Sequence, residues 1–203
     1  MKNNPSIRGR PRSFDQERAL DAAMELFWHA GFDAATYDVL EQATGQRRQS
    51  LVYAFGDKQA LFHAALKRYA ETRVEAVCKG LESSPVAKAG IRHVLDDWLK
   101  DARRKRRRGC LMVMTAGELG PRDPAAAQII EAARRKLVAA FARALHTARE
   151  QGDLATGPDV MAVSEMLVAA GDGALLHARS GGAVKAAEHS LNAVFDLLFQ
   201  RPR

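Results

Sequence analysis

The sequence predicts an all-α fold of about nine helices, and three observations predict it. Apolar residues recur at three and four positions rather than two, Ser, Thr or Asp caps stand ahead of the apolar stripes, and glycines stand at their ends. The 203 residues are 47% hydrophobic and 27% charged, the composition of a globular chain rather than a disordered, collagenous or disulfide-stapled one. Two cysteines, Cys78 and Cys110, supply neither a disulfide framework nor the paired spacing of a zinc site. Charge or glycine interrupts every apolar run before the ~20 residues of a membrane helix, and Met1 to Pro5 offer no signal-peptide core. The expectation is a soluble, cytoplasmic protein with no membrane partner.

The first helix is expected to start at Ser13, in a reciprocal cap with Gln16, and to run through Leu20, Ala23, Met24 and Phe27 to Gly31. Thr36 caps a short second helix from Tyr37 to about Thr44, and Gly45 supplies the positive φ of a tight turn. A third short helix spans about Arg47 to Ala54 and buries Leu51 and Phe55. After Gly56-Asp57 a long helix carries Leu61, Phe62, Ala65, Leu66 and Tyr69 to about Gly80. Ser84-Pro85 reads as a cap with a proline in the first turn, opening a helix with Ile91, Val94, Leu95, Trp98, Leu99 and Ala102 on one face. Cys110 to Met114 form a short apolar segment that suits a buried strand or a helix, and the helical reading is adopted. Asp123-Pro124 caps a long helix ending at Gln151-Gly152-Asp153, and two more follow, about Pro158 to Arg179 and about Ala183 to Gln200.

Net charge is +7, yet its distribution decides more than its size. Residues 1–12 carry four cations and no anion, whereas residues 13–58 carry four cations against eight anions. The basic pI is therefore no evidence for nucleic acid by itself. Three helices, the second and third short and joined at Gly45, form a helix-turn-helix unit, whose third helix enters the major groove. That helix offers Arg47, Arg48, Gln49, Ser50 and Tyr53. Arg can take guanine and Gln adenine bidentately, although a short Arg-rich helix is also simply a solvated face. Lys58, in the first turn of the next helix, and Thr36 are placed to meet phosphates. Arg8, Arg10 and Arg12 around Pro11 suit an arm in an A·T-rich minor groove, or a solubilising tail.

These residues carry a resemblance. Leu26-Phe27-Trp28-His29-Ala30-Gly31-Phe32, then Thr36, Leu40, Ala43 and Gly45, then Arg48-Gln49-Ser50-Leu51 and Phe55-Gly56-Asp57-Lys58-Gln59-Ala60-Leu61-Phe62 resemble the N-terminal domain of TetR-family (tetracycline-repressor-like) transcriptional regulators. The resemblance covers about residues 8–62 and continues more loosely through Gly109-Cys110-Leu111 and Glu118-Leu119. It implies a basic arm (1–12), a DNA-binding helix-turn-helix domain (13–58) and a helical ligand-binding and dimerisation domain (59–203). The function implied is a regulator, usually a repressor, released from a palindromic double-stranded DNA operator by a largely apolar small-molecule inducer. The alternative is a helical small-molecule-binding dimer without specific DNA readout, and the departures at Glu41, Gln46 and Val52 favour it. A buried, unpaired Glu41 would be costly, so it is expected in solvent or beside a cation such as Arg47 or Arg48.

By the same resemblance Trp98, Met112, Met114, Leu137, Phe141 and Met166 surround the inducer, with His93, Glu118, Asp172 and His177 as polar groups; each apolar one is also ordinary core. The penultimate helix has two apolar stripes, one suited to the core and one to a partner or to this chain's own core. Met166, Ala170 and Gly173, with Leu191, Phe195 and Leu198 of the last helix, are the expected homodimer face. The run Arg103 to Arg108 at a helix end reads as a solvated C-terminus, and Cys110 as a small buried hydrophobe rather than a redox switch. Six scattered histidines, with no HExxH, no phosphate loop and no nucleophile elbow, point to no metal, no cofactor and no enzyme.

Overall fold

The computed structural model describes residues 15–104, 107–154, 157 and 159–199, and among them there are helices and no strand. Asp15, not Ser13, caps α1 (Gln16–Ala30), its carboxylate accepting from the Arg18 amide; Ser13 lies outside the described residues. Thr36 caps α2 (Tyr37–Thr44), Gly45 turns the chain at φ 68°, and α3 (Arg48–Phe55) follows. The long helix begins at an Asp57 cap and runs as α4 (Lys58–Tyr69), one π turn (Ala70–Val74) and α5 (Glu75–Ser83). Gly80 does not stop it. Counting α4 to α5 as one rod, the described residues form nine helices.

α6 (Ala87–Arg103) starts two residues after the expected site. Ser84 Oγ donates to the Val86 carbonyl instead of capping, and the Ala87 amide is taken by Gln151 Oε1 from across the fold. The apolar segment is helical, as α7 (Leu111–Glu118). Asp123 then caps α8 (Pro124–Glu150), whose 27 residues extend ~40 Å. α9 (Val160–Arg179) and α10 (Val184–Phe199) complete the chain. By length and composition α9 could cross a membrane, with a mean hydropathy of 1.3 over 18 residues, contrary to the expectation that no run suffices. Its apolar excess has another use, since Val163, Leu167, Val168 and Ala174 are buried against the helices around it.

Two buried clusters hold the molecule. The first joins α1 to α4 around Phe27, Phe32 and Phe62, whose rings meet edge-on at 4.9 and 5.0 Å, and it extends to Leu111, Met112 and Leu119. α1 is also pinned to α4 by Arg68, which grips Asp21 through two nitrogens at 2.7 and 3.2 Å. The second cluster packs α5, α6, α8, α9 and α10 around Ile91, Leu95, Phe141, Leu145 and Leu167. Between α6 and α9 the fit needs a glycine, because a Cβ on Gly171 would stand 2.1 Å from the Trp98 ring. Gly171→Ala would gain about 1 kcal/mol of helix propensity but overpack at a cost of about 1–3 kcal/mol. Urea denaturation is expected to show a net loss of about 1 kcal/mol; a stabilised variant would show that Trp98 can move aside.

Candidate DNA-reading surface, joint and cavity

Leu51, 1% exposed, and the half-buried Phe55 seat α3 on the N-terminal core, so the opposite face points outward. Arg47, Arg48 and Gln49 are exposed there, Ser50 is half-buried, and Tyr53 is 95% exposed. The Arg48 guanidinium lies 4.3 Å over the Tyr37 ring, and among the described residues neither Arg47 nor Arg48 is ion-paired through its side chain. Among the described residues Glu41 makes no ion pair with a guanidinium. Its Oε1 accepts from the Arg48 backbone amide at 2.7 Å and serves as the cap that Arg47, which has no side-chain cap bond, does not provide. An anion there complements the positive end of the α3 dipole. Glu41→Ala is expected to lower unfolding free energy by about 1 kcal/mol, with Glu41→Gln in between, by thermal melting.

Thr36 is exposed while its Oγ1 accepts from the Val39 amide at 3.5 Å, which leaves the hydroxyl hydrogen outward. Lys58 is less free than its sequence position suggests. Its ammonium donates to the Phe32 carbonyl at 3.0 Å and lies 4.3 Å over the Phe32 ring, and its remaining N–H groups are available. Val52 is 40% exposed and Gln46 half-buried. Arg8, Arg10 and Arg12 lie outside the described residues.

The turn after α1 is held from both sides. Opposite Lys58, Glu118 at the end of α7 accepts from the Phe32 amide (Oε2, 3.0 Å) and the Asp33 amide (Oε1, 2.9 Å), so it is a structural clasp and not a cavity group. A second clasp comes from α9. Arg179 donates to the carbonyls of Arg108 at 2.8 Å, His29 at 3.3 Å and Trp28 at 3.4 Å, and the Trp28 indole donates to Gly109 O at 2.9 Å. The basic run is solvated where it leaves α6, with Arg103 and Arg104 exposed and Arg104 paired with Asp101 three residues back, but not at Arg107 and Arg108. Arg108 pairs with Glu25 and lies 3.8 Å over Trp28, Arg107 donates to the carbonyls of Ala178 and Gly182, and Arg103 pairs with Glu188. Lys105 and Arg106 lie outside the described residues. The partners of Arg103, Arg107 and Arg108 are far away in sequence, so the local pattern does not announce them.

A cavity of about 260 Å³ opens behind this joint. Its lining comes from the π turn (Val74), α7 and the residue before it (Cys110, Met112, Val113, Ala116), α8 (Ile130, Ala133, Arg134, Leu137) and α9 (Val168, Asp172). Of the expected apolar contacts, Met112 and Leu137 line it. Phe141 is fully buried core, Trp98 is engaged with Phe141 and Gly171, Met114 lies outside the lining, and Met166 and His177 are exposed on the outer side of α9. His93 is on the surface beside Asp97. Asp172 does reach the cavity, and burial raises its carboxyl to about 6, with only Arg134 opposing. Burial also pushes the Cys110 thiol up; its Sγ accepts from Tyr69 Oη at 3.8 Å, consistent with a protonated wall residue.

On the outer side of α9, Met161, Met166 and Leu176 are exposed beside Gly173, and Ala170 is half-buried. α10 adds the half-buried Phe195 and Leu198 and the 78% exposed Leu197, which the sequence reading missed. Leu191 is fully buried within the chain and cannot belong to that face.

Residues 19–65 match the family model of bacterial regulatory proteins, tetR family, and residues 87–194 match that of the tetracyclin repressor-like C-terminal domain. An uncharacterized HTH-type transcriptional regulator of Bacillus subtilis (strain 168), YezE, is 33% identical over 147 residues, 72% of this chain and 76% of that one. The HTH-type transcriptional repressor BdcR of Escherichia coli (strain K12) is 33% identical over 63% of this chain and 64% of its own length. Among solved structures, a cysteine mutant of the TetR family transcriptional regulator CifR, complexed with 26-bp double-strand operator DNA, superposes with a TM-score of 0.81 at 26% identity. That match covers 94% of this chain and 100% of the other. The reduced form of NemR from E. coli shares the fold at a TM-score of 0.83 and 21% identity, over 92% and 97% of the two chains.

Proposed function

The chain belongs to the TetR family of bacterial transcriptional regulators, and on that premise we propose that it represses from a palindromic operator and leaves it when a small, largely apolar inducer fills the cavity. One observation carries the reading: α7 lines the cavity with Met112, Val113 and Ala116 and ends at Glu118, which holds the Phe32 and Asp33 amides. A ligand that displaces α7 alters the support of the turn between α1 and α2. Two recognition helices that must match major grooves ~34 Å apart then lose their register, and differential affinity for the two arrangements is the switch.

Arg48 and Gln49 are assigned to base edges, and Thr36, Arg47, Ser50, Tyr53 and Lys58 to phosphates. Arg8, Arg10 and Arg12 are assigned to the flanking minor groove. Met166, Ala170 and Gly173 of α9, with Phe195, Leu197 and Leu198 of α10, are assigned to a homodimer; the exposed apolar side of α9 supports this. The three-part division at residues 12 and 58 is kept for function, although the N-terminal core reaches to α7. The test is a salt-titrated binding assay on DNA upstream of the protein's own gene. A specific repressor exceeds random DNA by ~10³ or more, and parity at every salt concentration would overturn the reading.

A further inference from the structure

The two charged side chains in the cavity lining, Arg134 and Asp172, are not equally engaged. Arg134 on α8 is held by two carboxylates, Glu131 at 3.1 Å and Glu165 of α9. Asp172, on the α9 wall, has neither a hydrogen bond nor an ion pair among the described residues. The thiol of Cys110 faces the same space as a neutral group already met by Tyr69, and no other ionisable side chain lines the cavity. Of the two charged side chains in the lining, the Arg134 guanidinium is already met by carboxylates outside it, and the acceptor left open to an occupant is the Asp172 carboxylate set among Val74, Val113, Ile130, Leu137 and Val168. An anionic occupant would desolvate a second negative charge beside Asp172, and a purely apolar one would strip water from that carboxylate without replacing its hydrogen bonds. A cation on an apolar body satisfies both.

We propose that the cavity is a site for a small lipophilic amine, with Asp172 receiving its ammonium group and the apolar walls its hydrocarbon part. This rests on the proposed ligand-responsive function and specifies its ligand class. At about 260 Å³ the site falls below the ~300–1,000 Å³ of pockets for drug-sized molecules, so one ring and a short aminoalkyl arm fit its scale. Burial of Asp172 supports the same choice, because a carboxyl raised to about 6 is mostly ionised at pH 7 yet gains from a counter-charge.

The test uses the full-length protein and three matched probes in calorimetry at pH 7.5: 2-phenylethylammonium, uncharged propylbenzene and anionic 3-phenylpropanoate. The ammonium is expected to bind at least ~10-fold more tightly than either isostere. Asp172→Asn should remove that preference while leaving propylbenzene binding within a factor of about two. Asp172→Asn is scored only where its circular dichroism and melting are cooperative, and Asp172→Glu serves as the second variant, expected to retain the preference. Binding led by propylbenzene or phenylpropanoate, an Asn variant with the ammonium preference intact, or no ammonium binding up to ~10 mM would each overturn the proposal. Its failure separates from that of the wider reading in the operator assay. Ammonium binding without operator release sustains the site and refutes the switch, whereas operator release by an anion or hydrocarbon alone sustains the switch and refutes the amine.

Discussion

Arg179→Ala is expected to lower unfolding free energy by about 2–3 kcal/mol and to loosen the attachment of α1 to the rest of the molecule. One guanidinium donates to three carbonyls in two places, namely Trp28 and His29 at the end of α1 and Arg108 ahead of α7. A hydrogen bond involving a charged group contributes about 1.5–3 kcal/mol. The 2.8 Å bond to Arg108 has full-strength geometry, while the two at 3.3 and 3.4 Å are long and together add about 1 kcal/mol. For a chain of this size the loss corresponds to a fall in melting temperature of ~5–10 °C, which calorimetry can read. Hydrogen exchange should quicken at the amides of residues 27–33 more than in α10. Arg179→Lys should recover part of the stability, since it keeps the charge but not the planar fork. A variant as stable as the parent, with unchanged exchange at the α1 end, would mean that Glu118 and Lys58 hold the joint without it.

Arg48→Ala is expected to weaken operator binding by ~5–150-fold, the equivalent of about 1–3 kcal/mol for a bidentate base contact, and to relax preference at one base pair of each half-site. Random DNA should lose little beyond one cation's share of the salt dependence. The side chain is exposed and stacks on Tyr37, so the fold should tolerate its loss, and circular dichroism should be unchanged. Lys58→Ala is the control, with equal losses on operator and random DNA. If Arg48→Ala behaved that way instead, its guanidinium would belong with the phosphate contacts, and Gln49 would carry the base reading.

What was legible in the sequence divides along the range of the interaction. The Thr36 cap, the Gly45 turn and the Asp123 cap are decided within four residues, and all three stand where the pattern placed them. Ser84-Pro85 looked equally local, yet α6 starts later because the Ala87 amide finds Gln151, 64 residues away. Glu41 shows the same limit at shorter range: its need for a partner was clear, but the partner is a backbone amide that carries no letter in the sequence. The side chains of Glu118 and Arg179 bond to groups 71 to 151 residues distant, so nothing near them announced a clasp. Apolar periodicity identified Leu191, Phe141 and Trp98 as inward-facing. It could not say whether inward meant a core, a cavity or a subunit contact, which depends on the neighbours each helix acquires.

Trp28 gives the joint an optical consequence. The chain has only two tryptophans, and they sit in separate clusters. Trp98 lies against Phe141 inside the second, whereas Trp28 is hydrogen-bonded to Gly109 O, edged by Tyr69 at 5.0 Å and covered by the Arg108 guanidinium. Indole emission depends on nearby charge and water, so the fluorescence of Trp28 registers any parting of α1 from the segment that carries Arg108 and Gly109. With Trp98 replaced by phenylalanine, a single native chromophore would report that motion in real time, without a label.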